Sequence, residues 1–128
     1  MLDEKIRKLA TEGRNIAAVS TLMPDGTPQV TPLWVDADDE HIVLNTEVHR
    51  QKYKNISRDP RITVTIWDAE QPFVYGEVRG EVVETVTGPE ARDHIDQLSQ
   101  KYVGHDYANP IQSERVILKI APHRQFAR

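Results

Sequence analysis

Met23-Pro24-Asp25-Gly26-Thr27-Pro28-Gln29-Val30-Thr31-Pro32-Leu33-Trp34 is the stretch on which the fold turns. Pro24-Asp25-Gly26 carries its own turn chemistry: proline presets φ, the aspartate side chain bonds back to nearby amides, and glycine accepts positive φ. Upstream, Asn15 to Met23 alternates Ile16, Ala18, Ser20 and Leu22 against Ala17, Val19 and Thr21. Two extended runs around such a turn predict a hairpin, with a return strand over Thr27 to Val35. Pro28 and Pro32 have no amide proton to give a ladder, so this strand is expected at an edge, at a bulge, or where a ligand takes the pairing position.

Working outward, Leu2 to Gly13 places Ile6, Leu9 and Ala10 at helical spacing and ends at a glycine suited to a left-handed cap. After a second turn at Asp36-Ala37-Asp38-Asp39-Glu40, a strand is predicted over His41 to Thr46 and a short helix over His49 to Asp59, with Tyr53 and Ile56 as its thin apolar stripe. Arg61 to Trp67 alternates cleanly, and Phe73 to Thr87 continues through Val74, Val78 and Val82. Gly76 and Gly80 share that face, where a barrel wall bends or is closely approached. Thr87-Gly88-Pro89-Glu90 has the form of a capping box, and Ala91, Ile95, Leu98 and Tyr102 then recur at helical steps before Gly104. Glu114 to Ala121 is read as the last strand. The expectation is a mainly β fold with flanking α elements: one domain over residues 1–128, built as a small antiparallel barrel of about six strands with three short helices.

A chain of 128 residues fits one domain, and 38% hydrophobic with 28% charged residues is ordinary globular composition. The absence of cysteine excludes disulfides, thiolate nucleophiles and cysteine-based zinc or iron–sulfur sites. Met1-Leu2-Asp3-Glu4-Lys5 opens with charge and not with the apolar stretch of a signal peptide, and no apolar run approaches the roughly 18 residues of a membrane span, so a cytoplasmic protein is expected. A net charge of −4 argues against a nucleic-acid partner, which would favour a basic domain.

Against that acidic background, His49 to Arg61 holds Arg50, Lys52, Lys54, Arg58 and Arg61 with the single acid Asp59, a net of +4 where a strand hands over to a helix. Helix-terminal amides and charged side chains there suit a phosphate, although a solvated helix face carries the same residues. At about 100° per residue Arg50 and Lys52 would diverge in a regular helix, so joint binding requires Arg50 in the loop before it. Trp34, Trp67, Phe73 and Tyr75 are flat side chains that stack on a heterocycle or fill a core. The histidines at 41, 49, 94, 105 and 123 form no HxH or HxxxH pair and are read as surface or satisfied groups, with no metal site. GxSxG, GxxxxGK[ST] and GxGxxG are all missing, which removes the usual hydrolase, P-loop and dinucleotide-fold signals.

Met23 to Trp34, then Asn45-Thr46 with Arg50-Gln51-Lys52 and Asn55, then Arg58-Asp59-Pro60-Arg61, and finally Glu77-Val78-Arg79-Gly80, resemble in order and spacing the pyridoxamine 5'-phosphate oxidase-like split β-barrel proteins, an FMN-binding type of barrel. The likeness spans about residues 7–123, and it is greatest to the branch that uses the deazaflavin coenzyme F420 in place of FMN. It implies a homodimer with the cofactor at the interface and a hydride passed to or from a small conjugated or quinone-like molecule. The FMN-dependent enzyme of the same fold is the alternative, and a flavin- or F420-binding protein without turnover is another. Carried over, Arg50 and Lys52 would bind phosphate, while Gln51, Asn45 and Thr46 would line the ribityl chain. Gln29, Thr31, Pro32 and Trp34 would face the ring, with Trp67 and Tyr75 contributed by the partner subunit. Val48-His49 stands where many relatives carry glycine. No catalytic residue is identified; Tyr75 and His41 are merely polar groups of the right type.

Overall fold

The computed structural model describes residues 1–128. Helix α1 (Glu4–Thr11) is capped by Asp3, whose carboxylate accepts the amides of Lys5 at 2.9 Å and Ile6 at 3.2 Å. Its Ile6 and Ala10 are buried. Strand β1 (Ala17–Leu22) runs into a turn closed by the Gly26 amide on the Met23 carbonyl at 2.9 Å, with Gly26 at φ +88°, and returns as β2 (Pro28–Leu33). The Asp25 carboxylate holds the amide and hydroxyl of Thr27, as the turn chemistry predicts.

Beyond this hairpin come β3 (Asp36–Ala37), β4 (Ile42–Glu47), α2 (Gln51–Arg58), β5 (Arg61–Trp67), β6 (Tyr75–Val86), α3 (Pro89–Val103) and β7 (Arg115–Ala127). The strands form one curled antiparallel sheet in the order β2-β1-β5-β6-β7-β4-β3. β2 is therefore an edge strand, which answers the question its prolines raised. Pro32 opposes Ala18 and Pro28 opposes Leu22, so those pairs cannot exchange hydrogen bonds and the ladder to β1 falls to Gln29, Thr31 and Leu33.

The sheet wraps a core that includes Ile6, Val35, Leu44, Val64, Val78 and Leu118. Its curvature is concentrated where the register between β6 and β7 shifts, at Arg79/Gly80 and at Val82/Glu84. A Cβ on Gly80 would run into the Ala121 carbonyl, and one on Gly76 would lie 2.8 Å from Ile6 Cγ1, so both glycines mark close approaches of the wall.

Three sequence expectations shift. The seventh strand, β3, has only two residues, too few for alternation to register, and its Asp36–Ala37 falls within the stretch whose sequence reads as a turn. β7 runs six residues past Ala121 to Ala127, because Pro122 sits at the bulge opposite Gly80, where the pairing absorbs its missing donor. The capping box is not used: Gly88, at φ +82°, caps α3 without a side-chain bond, and Pro89 occupies the first turn, where an amide proton is dispensable.

Candidate functional site

The site grows from the end of β4. All six of its residues are buried, including Asn45, Thr46 and Glu47, so an apolar strand closes on three polar side chains inside the protein. Val48-His49 then turns the chain without any residue at positive φ, held by the Val48 amide on the Glu114 carbonyl (3.0 Å) and the Arg50 amide on the Glu47 carbonyl (3.1 Å). Glycine is thus not required in this turn. Arg50 is the cap of α2, extended at φ −75° and ψ 149°, outside the helix. That frees it from helical divergence from Lys52, and because its side chain makes no capping bond, the first-turn amides of α2 face outward unsatisfied by it.

Lys52 is 7% exposed, yet it makes no ion pair or side-chain hydrogen bond within the chain. Burial pushes its pKa below the ordinary lysine value of 10.5, and the positive charges of Arg50 and Arg115 push it further down. Arg115, at the start of β7, is 6% exposed in its side chain. Its Nε donates to Asn45 Oδ1 at 2.8 Å, and its Nη1 lies 3.5 Å from Glu47 Oε2. Arg50 Nη2 approaches the same Glu47 oxygen at 3.5 Å. Burial alone would raise the Glu47 carboxyl, but the amides of Ser113 and Gln112, each at 2.7 Å, together with Arg115, hold it below the usual glutamate range. Arg50 and Arg115 therefore share one carboxylate, and the unpaired Lys52 nearby brings the local balance to two positive charges in excess.

Arg50 and Arg115 border a cleft of about 350 Å³ whose other walls include Ile16, Leu33, Trp34, Ile95, Leu98 and Tyr107; Lys52 lies near both cations but does not line it. Trp34 stacks on Tyr102 with centroids 5.3 Å apart and meets the edge of Tyr107 at 6.2 Å, so the apolar end is a rigid aromatic step. Thr46 Oγ1, on the cleft wall, is buried without a hydrogen-bond partner.

Of the residues singled out in the sequence, Pro32, Trp34, Asn45, Thr46 and Arg50 line this cleft. Gln29 and Thr31 oppose Thr21 and Val19, so they share the inner face of the hairpin, where Asn55 Nδ2 of α2 donates to Thr21 Oγ1 at 3.0 Å. Gln51 Nε2 in turn donates to Asn55 Oδ1 at 2.9 Å. Trp67 and Tyr75 lie elsewhere: they oppose each other across β5 and β6, with Tyr75 5.8 Å from Phe126, on the outer sheet face that also carries Val30 and Pro32. His41 sits in an exposed loop against Asp38, away from the cleft.

The sequence model of the family described as pyridoxamine 5'-phosphate oxidase matches residues 2–127. The chain belongs to this family. Among solved structures, it is similar to one named an F420 reductase, with 29% identity, a TM-score of 0.81 and 98% of each chain covered. It is similar to the conserved hypothetical protein Rv2991 of Mycobacterium tuberculosis at 28% identity and TM-score 0.71, over 98% of this chain and 82% of that one. General Stress Protein 26 of Bacillus anthracis shares the fold at 20% identity and TM-score 0.71, over 96% and 90% of the respective chains. A search of curated proteins gave no sequence match.

The split barrel of the pyridoxamine 5'-phosphate oxidase family binds flavin-like cofactors, and the residues here fit such a group. A buried hydroxyl without a partner, at Thr46, and a helix start without a side-chain cap, at Arg50, border one cleft, and Lys52 stands in the first turn of that helix near the two arginines of its wall. Sequence reasoning missed Glu47, His94, Tyr107 and Arg115. Glu47 left a trace, as an acid closing an otherwise apolar strand; Arg115 and Tyr107 left none, because the 104–114 connection brings them to the cleft by a path without periodicity. No helix of the structure is long and apolar enough to cross a membrane.

Proposed function

We propose that this member of the family is an oxidoreductase that takes coenzyme F420, binds it between two copies of the chain, and passes a hydride to or from a small conjugated or quinone-like molecule. The observation that carries the reading is Lys52, a nearly buried cation with no internal partner beside Arg50 and Arg115. Such a group gains most from an anion of the working complex that meets it. Arg50, Lys52 and the first amides of α2 hold the phosphate. Asn45, Thr46 and Gln51 line the ribityl chain, where the Thr46 hydroxyl gains its missing partner. Gln29, Thr31, Pro32 and Trp34 face the ring, and Trp67 and Tyr75 of the outer face reach the neighbouring copy's cofactor. The bound group supplies the hydride chemistry; the protein binds it, orients it and keeps water from one face.

F420 is preferred on the likeness to the F420 reductase. FMN stays as the second reading, because two excess positive charges match a phosphate monoester dianion as well as they match a phosphodiester with carboxylates beside it. Protein stripped of ligand, titrated with each cofactor at two salt concentrations, separates them. The expected result is tighter F420 binding by about tenfold, roughly 1.4 kcal/mol, with the gap narrowing as salt screens the polyglutamate tail. Equal or tighter FMN binding moves the assignment to FMN, and tight binding without turnover on any acceptor makes the protein a carrier. The reading places a soluble single-domain enzyme in the cytoplasm.

A further inference from the structure

Asn45 lies between Arg115 and His94. Its Oδ1 must accept, because the partner at 2.8 Å is Nε of Arg115, which has only a proton to offer. That fixes the carboxamide: Nδ2 points the other way, donating to the Ala91 carbonyl at 3.0 Å and facing His94 Nδ1 at 3.0 Å. His94 Nδ1 must then be bare. In the neutral ring the proton sits on Nε2, 3.3 Å from Asp36 Oδ2, where a donor is wanted. The orientation of every member follows from the Arg115 guanidinium.

We propose that Asn45, locked by His94 and Asp36, is the positioning residue that aims Arg115 into the anion pocket, so that His94 in its Nδ1-accepting form sets the direction of that guanidinium. The inference rests on the reading of this cleft as an anion site and deepens it. A proton on His94 Nδ1 would face the Asn45 NH₂, the carboxamide would turn over, and its NH₂ would then oppose the Arg115 Nε–H. Arg115 would keep Glu47 and the Tyr107 ring, 5.3 Å from its guanidinium carbon, but lose the bond that sets its direction.

The test is a double-mutant cycle on the intact protein, read by calorimetric binding of FMN and of F420 and by the rise in melting midpoint with inorganic phosphate. Arg115→Met is expected to weaken anion binding about tenfold. His94→Leu should weaken it at least threefold, and the double variant should bind no more weakly than Arg115→Met, because the histidine acts only through the arginine. His94→Gln, which offers one acceptor to Asn45 and one donor to Asp36, should restore wild-type binding. Long-range ¹H–¹⁵N spectra should show the ring protonated at Nε2. If His94→Leu fails to fold, Asn45→Ala enters the same cycle with the same expectation. Losses that multiply, failure of His94→Gln to rescue, or a proton on Nδ1 overturns the proposal. Phosphate binding that follows the cycle while neither cofactor binds would sink the cofactor reading and leave this one standing; no anion binding at all removes both.

Discussion

Replacing Lys52 by methionine should move stability and binding in opposite directions. The side chain is 7% exposed, has no carboxylate partner, and lies near two like charges. Its folded pKa is lowered, so between that value and 10.5 the folded chain sheds a proton the unfolded chain keeps, and stability rises with pH across that window. At neutral pH the charge is present in both states and its burial is an uncompensated cost. An unpaired buried polar group costs on the order of 1–3 kcal/mol in mutational data, a range that suits this ammonium, which is not fully shut off from water. Lys52→Met keeps most of the stem and removes the charge, so the ligand-free protein should melt higher by roughly 3–15 °C, given about 3–5 °C per kcal/mol at this size. The same change deletes a charge-assisted bond to the bound anion, worth about 1.5–3 kcal/mol, so affinity for F420 or FMN should fall about ten- to a hundredfold. Scanning calorimetry on stripped protein and titration calorimetry with each cofactor read the two effects. Lys54→Met, on the exposed side of α2, should change neither. A Lys52→Met protein that melts lower, or one that melts higher and binds as tightly as the wild type, refutes the reasoning.

Gly80→Ala should lower the melting midpoint by several degrees or more, since the new methyl meets the Ala121 carbonyl and rigid backbone cannot step aside; an unchanged midpoint would mean the bulge is not tightly packed. Glu47→Gln should flatten the acid limb of the stability curve: a carboxyl held below its ordinary 4.5 contributes stability above that pH and loses it as pH falls through the depressed value, so wild type and variant should converge in acid and differ near neutrality. Val30→Glu places a charge on an outer-face residue that is 61% exposed, and sedimentation should show a monomer with weakened cofactor binding; an unaltered dimer would place the contact between copies on another face.

The hairpin, β5 and α3 were legible because each shows local chemistry: a turn with all its signals, a clean alternation, a helical apolar stripe ended by Gly104. β3 was not, because two residues carry no period. The candidate anion site was half legible. Arg50 and Lys52 stand in one short segment, where charge density gives them away, and the objection to their cooperation dissolved once Arg50 proved to be the cap and not a helical residue. Arg115 arrives from a strand 63 residues beyond Lys52, and its direction is set by Asn45 and Glu47 through contacts of high sequence separation. His94 illustrates the same limit. It was read as a surface or satisfied histidine, and it is satisfied, but only the fold shows by which groups.

The prolines of β2 have an effect on how copies of this protein meet. An open sheet edge is a template on which a second strand can grow, the first step toward runaway fibrous assembly. Alternate residues of β2 send their amides to the open side, and of Pro28, Val30 and Pro32 only Val30 has a proton to offer. Strand-on-strand growth at this margin is therefore left with one amide donor along the length of β2. Any second strand laid against it would lack most of the ladder that makes such growth open-ended, so the prolines that mark the strand in the sequence also blunt its edge.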